Sequence, residues 1–461
     1  MANNTGLRII TTNDFFGSFF ARPASYGRQA GAKPLVETVE RLREERPASL
    51  WVDSGDFAQG GPLAPVSAGS YGFAAVSELG IDVATLGNHE FDWGRDHAMR
   101  WSAETGFPLV VANYDIGLPP SVILDAGPFA VGVIGLTHPA LQVFSDSVHK
   151  PQPAPAELVP DLAQDLRAQG AEVVVMVIHD GVDTLATGRG PLVMDTERMK
   201  GLCAKLRGHV DLVVGGHTLG RHLGPELAGV PFVQPWPFGA EVGIADRGAD
   251  GRWEVRGAEV VADGDWDGAG SGVQARLQSE IVGHLDAPLV VAPPQPSSLA
   301  QATAQGLVAT TGADVGVVFP HHLQTMQAPI DGVFAYLGRG PVTEADVLRV
   351  APFLRHQVPR DVFVCELTEQ ELADFTRAAS GISGTATATP DQPRDLGRLE
   401  NWGGPAVARG KPTTRTGTST VSVAMTSIYR ERPYAERWLG REPDWTPTGF
   451  GLADAVRAAV A

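Results

Sequence analysis

The segment LGNHEFDWG, residues 86–94, follows a short apolar run at Val83–Leu86. Its first glycine permits close approach of another backbone, and the polar residues after it would be costly to bury without partners. In open α/β sheets, ligands bind beyond the carboxyl ends of the strands. The segment therefore predicts a buried strand that delivers polar side chains to a binding crevice.

Six other apolar runs share the length and composition of this one. They are Leu7–Thr11, Ser49–Val52, Leu109–Ala112, Val131–Leu136, Val173–Ile178 and Leu212–Val214. Continuous runs of Val, Ile and Leu are typical of strands that are buried on both faces. They alternate with helical patterns, for example at Pro34–Glu45 and Ala156–Gln169. The first part of the chain therefore predicts a layered α/β domain.

Polar residues that can bind a metal follow all seven runs. They are Asp14, Asp53, Asp56, Asn88, His89, Glu90, Asp92, Asn113, His138, His179, Asp180 and His217. Oxygen and imidazole ligands in this mixture suit a divalent ion such as Mn, Fe, Zn or Co. A single Asp after a strand is usually a helix cap, and a single His is usually an interior residue. The ordered set at seven strand ends is what indicates a metal site.

Composition limits the partners and the cellular setting. The 461 residues carry a formal net charge of −17, which repels nucleic acid polymers and anionic membrane surfaces. The sequence has neither an apolar stretch long enough to span a membrane nor the pattern of a signal peptide. Cys203 and Cys365 cannot form a disulfide framework. We therefore expect a cytoplasmic protein without a membrane or nucleic acid partner; its oligomeric state is left open.

The length of the chain is about three times that of a usual domain and predicts more than one. Glycine-rich and proline-rich sequence on both sides of a helical pattern at Val273–Leu285 indicates a boundary. We predict a first domain over residues 1–265, a linker with a helix over 266–296, and a second domain over 297–461. The second domain is predicted to contain strands at Asp314–Phe319, Val362–Leu367 and Thr418–Thr426, helices at Leu299–Thr310 and Glu369–Ala379, and a long loop over 380–417.

The motifs TTND, VDSGD, LGNHEFDWG, VIHDG and VVGGH occur in this order within residues 7–220. With this spacing the chain resembles the calcineurin-like metallophosphoesterases, in particular the branch of 5′-nucleotidases, UDP-sugar hydrolases and cyclic phosphodiesterases. An APF motif at Ala351–Phe353 also resembles that branch. The resemblance implies a four-layer α/β/β/α metallophosphoesterase domain over residues 1–265. It also implies a smaller α/β C-terminal substrate-binding domain, of the 5′-nucleotidase kind, over 297–461.

The resemblance implies one intact metal pocket. In the family two metals share a bridging carboxylate, which corresponds to Asp56. One of the two ions is completed by an Asn and two His residues, which correspond to Asn88, His179 and His217. All four ligands are present in this chain. We therefore expect one firmly bound divalent ion.

The pocket for the other ion departs from the family pattern. Asp14 matches its carboxylate ligand, but Phe16 and Leu219 stand where the family has imidazoles. Neither Phe nor Leu donates an electron pair to a metal, and both make the pocket drier. We therefore expect a second site that is weak or absent, unless His138 or His222 acts as a substitute ligand.

The resemblance also implies catalytic roles. His89 corresponds to the family histidine that stabilises charge on the transferring phosphoryl group or protonates the leaving oxygen. Asp92 corresponds to the carboxylate that orients this histidine, and holding an imidazole in one tautomer is a known requirement of such catalysis. With one metal, the symmetric clamp on the attacking and leaving oxygens is lost. We therefore expect an enzyme that is slower or more selective than its two-metal relatives.

Substrate recognition by the second domain departs from the family as well. Phe353 matches one of the two aromatic rings that hold a nucleoside, whereas Gln324 and Arg355 replace an arginine and an asparagine of the family. The candidates for substrate contacts are His321, His322, Gln324, Arg339, Phe353, Arg355, Tyr429 and Arg430. For each of them, a solvated side chain or a core aromatic is an equal alternative. The departures argue against adenosine monophosphate as the main substrate.

Together these features predict a metal-dependent hydrolase of a phosphate monoester. Its substrate would be a small molecule, either a nucleotide-like or a sugar-phosphate metabolite. Two alternatives stay open. The chain could be a ligand-binding protein of the same fold that has lost catalysis, as Phe16 and Leu219 suggest. It could also hydrolyse a sulfur ester, as one branch of the family does.

Overall fold

The computed structural model describes residues 6–20, 30–57, 59–141, 153–185, 193–218, 220–261, 264, 266–292, 296–320, 323, 335–351, 361–380, 405–410, 420–426 and 439–461. Within these residues the chain forms two compact units, of which the first ends at Ser271 and the second begins at Gly272.

The first unit contains two central sheets with helices outside them. Its strands are β1 Leu7–Thr12, β2 Ser49–Asp53, β3 Val83–Ala84, β4 Ser121–Ala126, β5 Phe129–Leu136, β6 Val173–Ile178, β7 Asp183–Leu185, β8 Val193–Asp195, β9 Leu212–Val214, β10 Phe232–Val233, β11 Glu241–Arg247 and β12 Trp253–Glu259. Its helices are α1 Ala32–Glu45, α2 Leu63–Ser67, α3 Ser70–Ser77, α4 Arg95–Glu104, α5 Pro155–Ala168 and α6 Glu197–Leu206, with a 3-10 turn at His89–Phe91.

Each central sheet is mostly parallel. The first has the strand order β12-β11-β1-β2-β3, in which β1, β2 and β3 are parallel. The second has the order β10-β9-β6-β5-β4, in which all strands except β4 are parallel. Because parallel strands end on the same side of a sheet, the loops after β1, β2 and β3 share one edge, and those after β5, β6 and β9 share another.

Buried apolar residues on both faces of the sheets explain the layering. Leu7 and Ile9 of β1 meet Val175 of β6 in a core between the two sheets. The opposite face of β6, which includes Val174 and Met176, packs against α5 and α6. Helix α1 packs on the outer side of the first sheet, against β11. The order is therefore α/β/β/α, and the predicted fold class is confirmed.

The second unit is a smaller α/β structure. Its strands are β13 Ile281–Leu285, β14 Leu289–Val291, β15 Val315–Val318, β16 Ala335–Leu337, β17 Gly340–Thr343, β18 Asp361–Thr368, β19 Ala406–Arg409, β20 Thr420–Thr426 and β21 Thr446–Gly451. Its helices are α7 Ser271–Ser279, α8 Ser298–Thr311, α9 Glu344–Val350, α10 Glu369–Ser380 and α11 Leu452–Val460. Five strands form a sheet in the order β19-β15-β20-β18-β21, and α8 and α11 share one core with it. None of the helices that the structure describes is both long enough and apolar enough to cross a bilayer.

Two elements of the second half differ from their predictions. The helix predicted over Val273–Leu285 ends at Ser279, and residues Ile281–Leu285 form β13, which pairs with β17. The loop predicted over 380–417 contains β19, which pairs with β15, and most of the rest of it lies outside the described residues. In both cases, pairing with a strand that is distant in sequence determines the local structure.

Candidate metal centre

Ligand atoms from four strand ends converge in the first unit. Asp56 follows β2, Asn88 follows β3, His179 follows β6 and His217 follows β9. His179 Nε2 lies 3.0 Å from Asp56 Oδ2 and 3.2 Å from Asn88 Oδ1. One ligand atom each of Asp56, His179 and His217 lies within 4.8 Å of the other two. The four residues predicted as ligands of one ion therefore come from loops that the fold brings together.

The contacts of His179 bring the electron pairs of three side chains together. Its Nδ1 lies 2.7 Å from the carbonyl oxygen of Ser54, to which it donates, so the neutral ring presents an electron pair on Nε2. That electron pair faces oxygens of Asp56 and Asn88, which are acceptors too. Burial lowers the pKa of His179, but the charge and hydrogen bond of Asp56, together with the charges of Asp14 and Glu90, raise it to about 10. Either a proton or a divalent ion must therefore lie between them, and imidazole, carboxylate and amide donors suit Mn, Fe, Zn or Co.

Asp14 lies beside this group and holds one of its loops. Its Oδ2 accepts hydrogen bonds from the backbone N–H of His217, at 2.8 Å, and from Asn13 Nδ2, also at 2.8 Å. Its Oδ1 is buried and has no hydrogen-bond partner. Burial raises the pKa of this carboxyl group to about 6, although the nearby charge of His179 lowers it. The orphaned oxygen fits a cation, and the other oxygen positions His217.

The residues described for a second ion do not complete a site. Phe16 is buried and packs edge-on against the ring of His89, with the ring centroids 5.4 Å apart. Phe16 also packs against Phe238, whose ring centroid lies 5.6 Å away. The position that would supply an imidazole is therefore filled by aromatic carbon. Leu219, the other departure from the family pattern, lies outside the described residues.

Backbone strain is concentrated around the ligands. Among the described residues, seven that are not glycine have positive φ angles, and five of them line this site: Asp14 at 48°, Phe16 at 48°, Asp56 at 62°, His217 at 67° and Phe238 at 65°. Bulky side chains rarely adopt this conformation, and strained residues tend to cluster at functional sites. The loops are thus held in shapes that their own residues disfavour, which indicates a site built for binding.

His89 projects from the same loop as Asn88 and is held at two points. Its backbone N–H donates to Asp56 Oδ1 at 2.9 Å, and its Nδ1 lies 2.8 Å from Asp92 Oδ2. Burial lowers the pKa of His89, but the Asp92 and Asp56 carboxylates raise it to about 9. The ring is therefore protonated at neutral pH, oriented by Asp92, and able to donate a proton from Nε2.

Glu90 joins the two loops that carry Asp56 and Asn88. Its Oε2 accepts the N–H groups of Gly87, at 2.6 Å, and Asp56, at 2.9 Å, and its Oε1 accepts that of Phe57, at 2.8 Å. Gly87 is needed beside it because a Cβ atom there would lie 2.1 Å from Asp56 Oδ1. The sequence placed Glu90 among the polar residues after β3 but did not reveal this clamp, because the N–H groups it binds come partly from another loop.

Comparison with known proteins identifies this arrangement. Residues 7–221 match the family model described as calcineurin-like phosphoesterase. The first unit contains a calcineurin-like phosphoesterase domain. The predicted resemblance is thereby confirmed, and the ligand-bearing loops described above, from Asp14 to His217, all fall within the matched residues.

Relatives extend the comparison beyond the phosphoesterase domain. A 2′,3′-cyclic-nucleotide 2′-phosphodiesterase/3′-nucleotidase of Salmonella typhimurium is 26% identical over 326 residues, which cover 62% of this chain and 50% of the relative. A 5′-nucleotidase of Diplobatis ommata is 27% identical over 227 residues, 47% of this chain and 36% of the relative. The chain thus spans about half or less of the length of these relatives. A solved structure of a 5′-nucleotidase precursor from Thermus thermophilus superposes with a TM-score of 0.71 at 19% identity, covering 99% of this chain and 96% of that one, which shows a shared fold.

Other residues at strand ends of the phosphoesterase domain shape its loops. Asp53 Oδ1 accepts the N–H of Gly55 at 2.7 Å, and its Oδ2 accepts the hydroxyl of Thr12 at 2.5 Å. Asp180 pairs with Arg198, which also donates to the carbonyl oxygen of Gly181 at 2.7 Å. These contacts assign Asp53 and Asp180 to loop geometry.

The two histidines considered as substitute ligands lie in different places. His222 Nε2 lies 2.9 Å from the carbonyl oxygen of Pro225. His138 packs against His217, with ring centroids 4.2 Å apart. Among the described residues, the group whose ligand atoms converge includes His217 but neither His138 nor His222. In the second unit, Arg339 is exposed in the connection between β16 and β17. The other predicted substrate contacts, His321, His322, Gln324, Phe353, Arg355, Tyr429 and Arg430, lie outside the described residues and stay predictions.

Proposed function

We propose that this protein is a metal-dependent hydrolase of a small phosphate monoester, with a nucleotide-like or sugar-phosphate metabolite as substrate. The observation that carries the proposal is the convergence of electron-pair donors from Asp56, Asn88 and His179. The loop that delivers Asn88 also presents His89 with its orienting carboxylate, Asp92. The names of the relatives, which are nucleotide phosphoesterases, support the class of substrate.

The site's own residues divide the work between binding and proton transfer. A divalent ion bound by Asp56, Asn88, His179 and His217 would supply Lewis acidity and a water of lowered pKa. Because Nδ1 of His89 is bound to Asp92, the proton on Nε2 is the one available to the leaving oxygen of the ester. Phe16 packs edge-on against the His89 ring and makes its surroundings more apolar.

We infer that the centre binds one ion firmly and a second weakly or not at all. Phe16 and Phe238 place aromatic carbon where a further imidazole would be needed. Asp14 Oδ1 and Asp56 alone would leave a second ion mostly coordinated by water, which is a weak site for transition metals. Loss of the second ion removes one half of the two-metal clamp, so turnover should be slower or more selective than in two-metal relatives.

The test is turnover by the full chain after chelation and return of Mn, Fe, Zn or Co one at a time. Substrates should include an aryl phosphate, nucleoside 5′- and 3′-monophosphates, 2′,3′-cyclic nucleotides, sugar phosphates and a sulfur ester. We expect metal-dependent release of phosphate that is lost in His89→Ala and retained in His222→Ala, a histidine of the same domain bonded to Pro225.

Two other outcomes would replace the proposal. The absence of both a bound metal and turnover would favour the ligand-binding alternative. Cleavage of the sulfur ester without release of phosphate from any phosphoester would favour the sulfur-ester alternative.

A further inference from the structure

A third imidazole lies beside the metal centre and is not explained by the four ligands. His138 follows β5, and its ring centroid lies 4.2 Å from that of His217, with 49° between the ring planes. His138 is half-buried. It does not belong to the described group of converging ligand atoms. Its position therefore calls for a role other than that of a ligand.

The loop that carries His138 is held rigidly. Asn113 Nδ2 donates to the carbonyl oxygen of Thr137 at 2.8 Å, and Asn113 Oδ1 accepts the N–H of the same residue at 2.9 Å. One step further along the chain, the hydroxyl of Tyr114 donates to the carbonyl oxygen of Pro139 at 3.1 Å. The side chain of Asn113 is buried, so this pair of hydrogen bonds is protected from water. Such bracing from both sides is typical of a loop that positions a functional side chain.

The hydrogen bonding of His138 also defines which nitrogen can donate. Its Nδ1 accepts the backbone N–H of Ala140 at 3.1 Å, a contact that requires an unprotonated Nδ1. In the neutral ring the proton is therefore on Nε2. A fixed N–H donor next to a metal ligand is suited to bind an oxygen of an anionic group held at that metal.

We propose that His138 contacts the substrate and donates a hydrogen bond from Nε2 to an oxygen of the phosphate group bound at the centre. This inference rests on the proposed function, since it takes the bound group to be a phosphate. His138 would thus add a neutral donor on the His217 side of the phosphate, whereas His89 is a charged donor. It would raise affinity for the phosphate group without holding the metal.

The test is titration of inorganic phosphate into the Mn-loaded full chain by calorimetry. We expect His138→Ala to raise the Kd for phosphate by about tenfold or more, the effect of one hydrogen bond to a charged group. His138→Gln, whose amide can place an N–H near the position of Nε2, should keep most of the affinity. His222→Ala is the matched control and should bind as the wild type does. The Mn content of all three variants should equal that of the wild type.

The outcomes separate this proposal from the one before it. Phosphate binding that His138→Ala leaves unchanged would overturn the role of His138 alone. Equal weakening in His138→Ala and His138→Gln would overturn the hydrogen bond, and loss of Mn in either would overturn the separation from the metal. Failure of the Mn-loaded wild type to bind phosphate at all would overturn the proposed function as well.

Discussion

Replacing Glu90 with alanine removes the acceptor for three buried N–H groups, those of Gly87, Asp56 and Phe57. Each buried donor left without a partner costs about 1–3 kcal/mol, so the free energy of unfolding should fall by at least about 3 kcal/mol. Glutamine is a finer probe. Its amide oxygen can accept the two N–H groups bound at Oε2, but its NH2 group then faces the N–H of Phe57. Glu90→Gln should therefore lose only about 1–3 kcal/mol.

Two measurements on the full chain check this prediction. Urea unfolding in the presence of a chelator gives the stability, and Glu104→Ala, at an exposed site on α4, is the matched control that should change it by less than about 0.5 kcal/mol. Titration with Mn gives the affinity, which should fall by about tenfold or more in Glu90→Ala because the clamp joins the loops of Asp56 and Asn88. Wild-type stability and wild-type Mn affinity in Glu90→Ala would show that Glu90 does not hold the loops of Asp56 and Asn88 together.

Three further substitutions test separate parts of the site. Gly87→Ala should abolish tight Mn binding, because its Cβ would lie 2.1 Å from Oδ1 of the ligand Asp56. Gly106→Ala, whose Cβ meets nothing within 4 Å, should bind Mn normally. Equal Mn affinities of the two variants would contradict the predicted clash. Asp92→Asn should move the alkaline limb of the kcat/KM profile to lower pH. Burial lowers the pKa of His89 and the Asp92 carboxylate raises it, so in Asp92→Asn the His89 ring should lose its proton at lower pH. An alkaline limb that does not move would argue against His89 as the general acid. Phe16→His should raise the Mn content, measured by mass spectrometry, from one towards two ions per chain, and Phe16→Leu should not. Identical Mn content in the two variants would show that Phe16 does not limit the second site.

The parts of the fold that are encoded locally could be predicted from the sequence. The run Val173–Ile178 forms β6 with the predicted bounds, and His179 follows it directly. A strand buried on both faces requires an uninterrupted apolar run, and a polar residue immediately after it marks the strand end. The same logic placed Asp56 and His217 at strand ends. Because parallel strands end together, the sequence also indicated that these residues would meet.

Elements that depend on distant partners could not be predicted in the same way. β3 is only two residues long, and Leu109 makes a single bridge to Ala84 instead of a strand. The apolar runs at Val83–Leu86 and Leu109–Ala112 resemble those of longer strands, but the length over which each run pairs is set by its neighbouring strand. β4 and β11, which pair with antiparallel neighbours, were not predicted, and the apolar residues of β11 are interrupted by Gly243.

Within the site, residue type was predictable and hydrogen-bond role was not. Asp53 and Glu90 were both recognised as polar residues after strands. The structure uses Asp53 to shape a turn and Glu90 to join two loops. Which backbone N–H groups face a carboxylate depends on the packed loops, and the sequence does not record it. The contact between Phe16 and His89 is a further example. The sequence shows that Phe16 stands where the family has a histidine, but it does not show that the Phe16 ring packs against His89.

We propose that one divalent ion is bound by Asp56, Asn88, His179 and His217. The most direct measurement is the metal content of the purified full chain, combined with anomalous scattering from its crystals to locate each ion. We expect one ion per chain, in contact with those four side chains. A chain that binds no ion when supplied with Mn, Fe, Zn or Co would contradict it, and so would two ions bridged by Asp56.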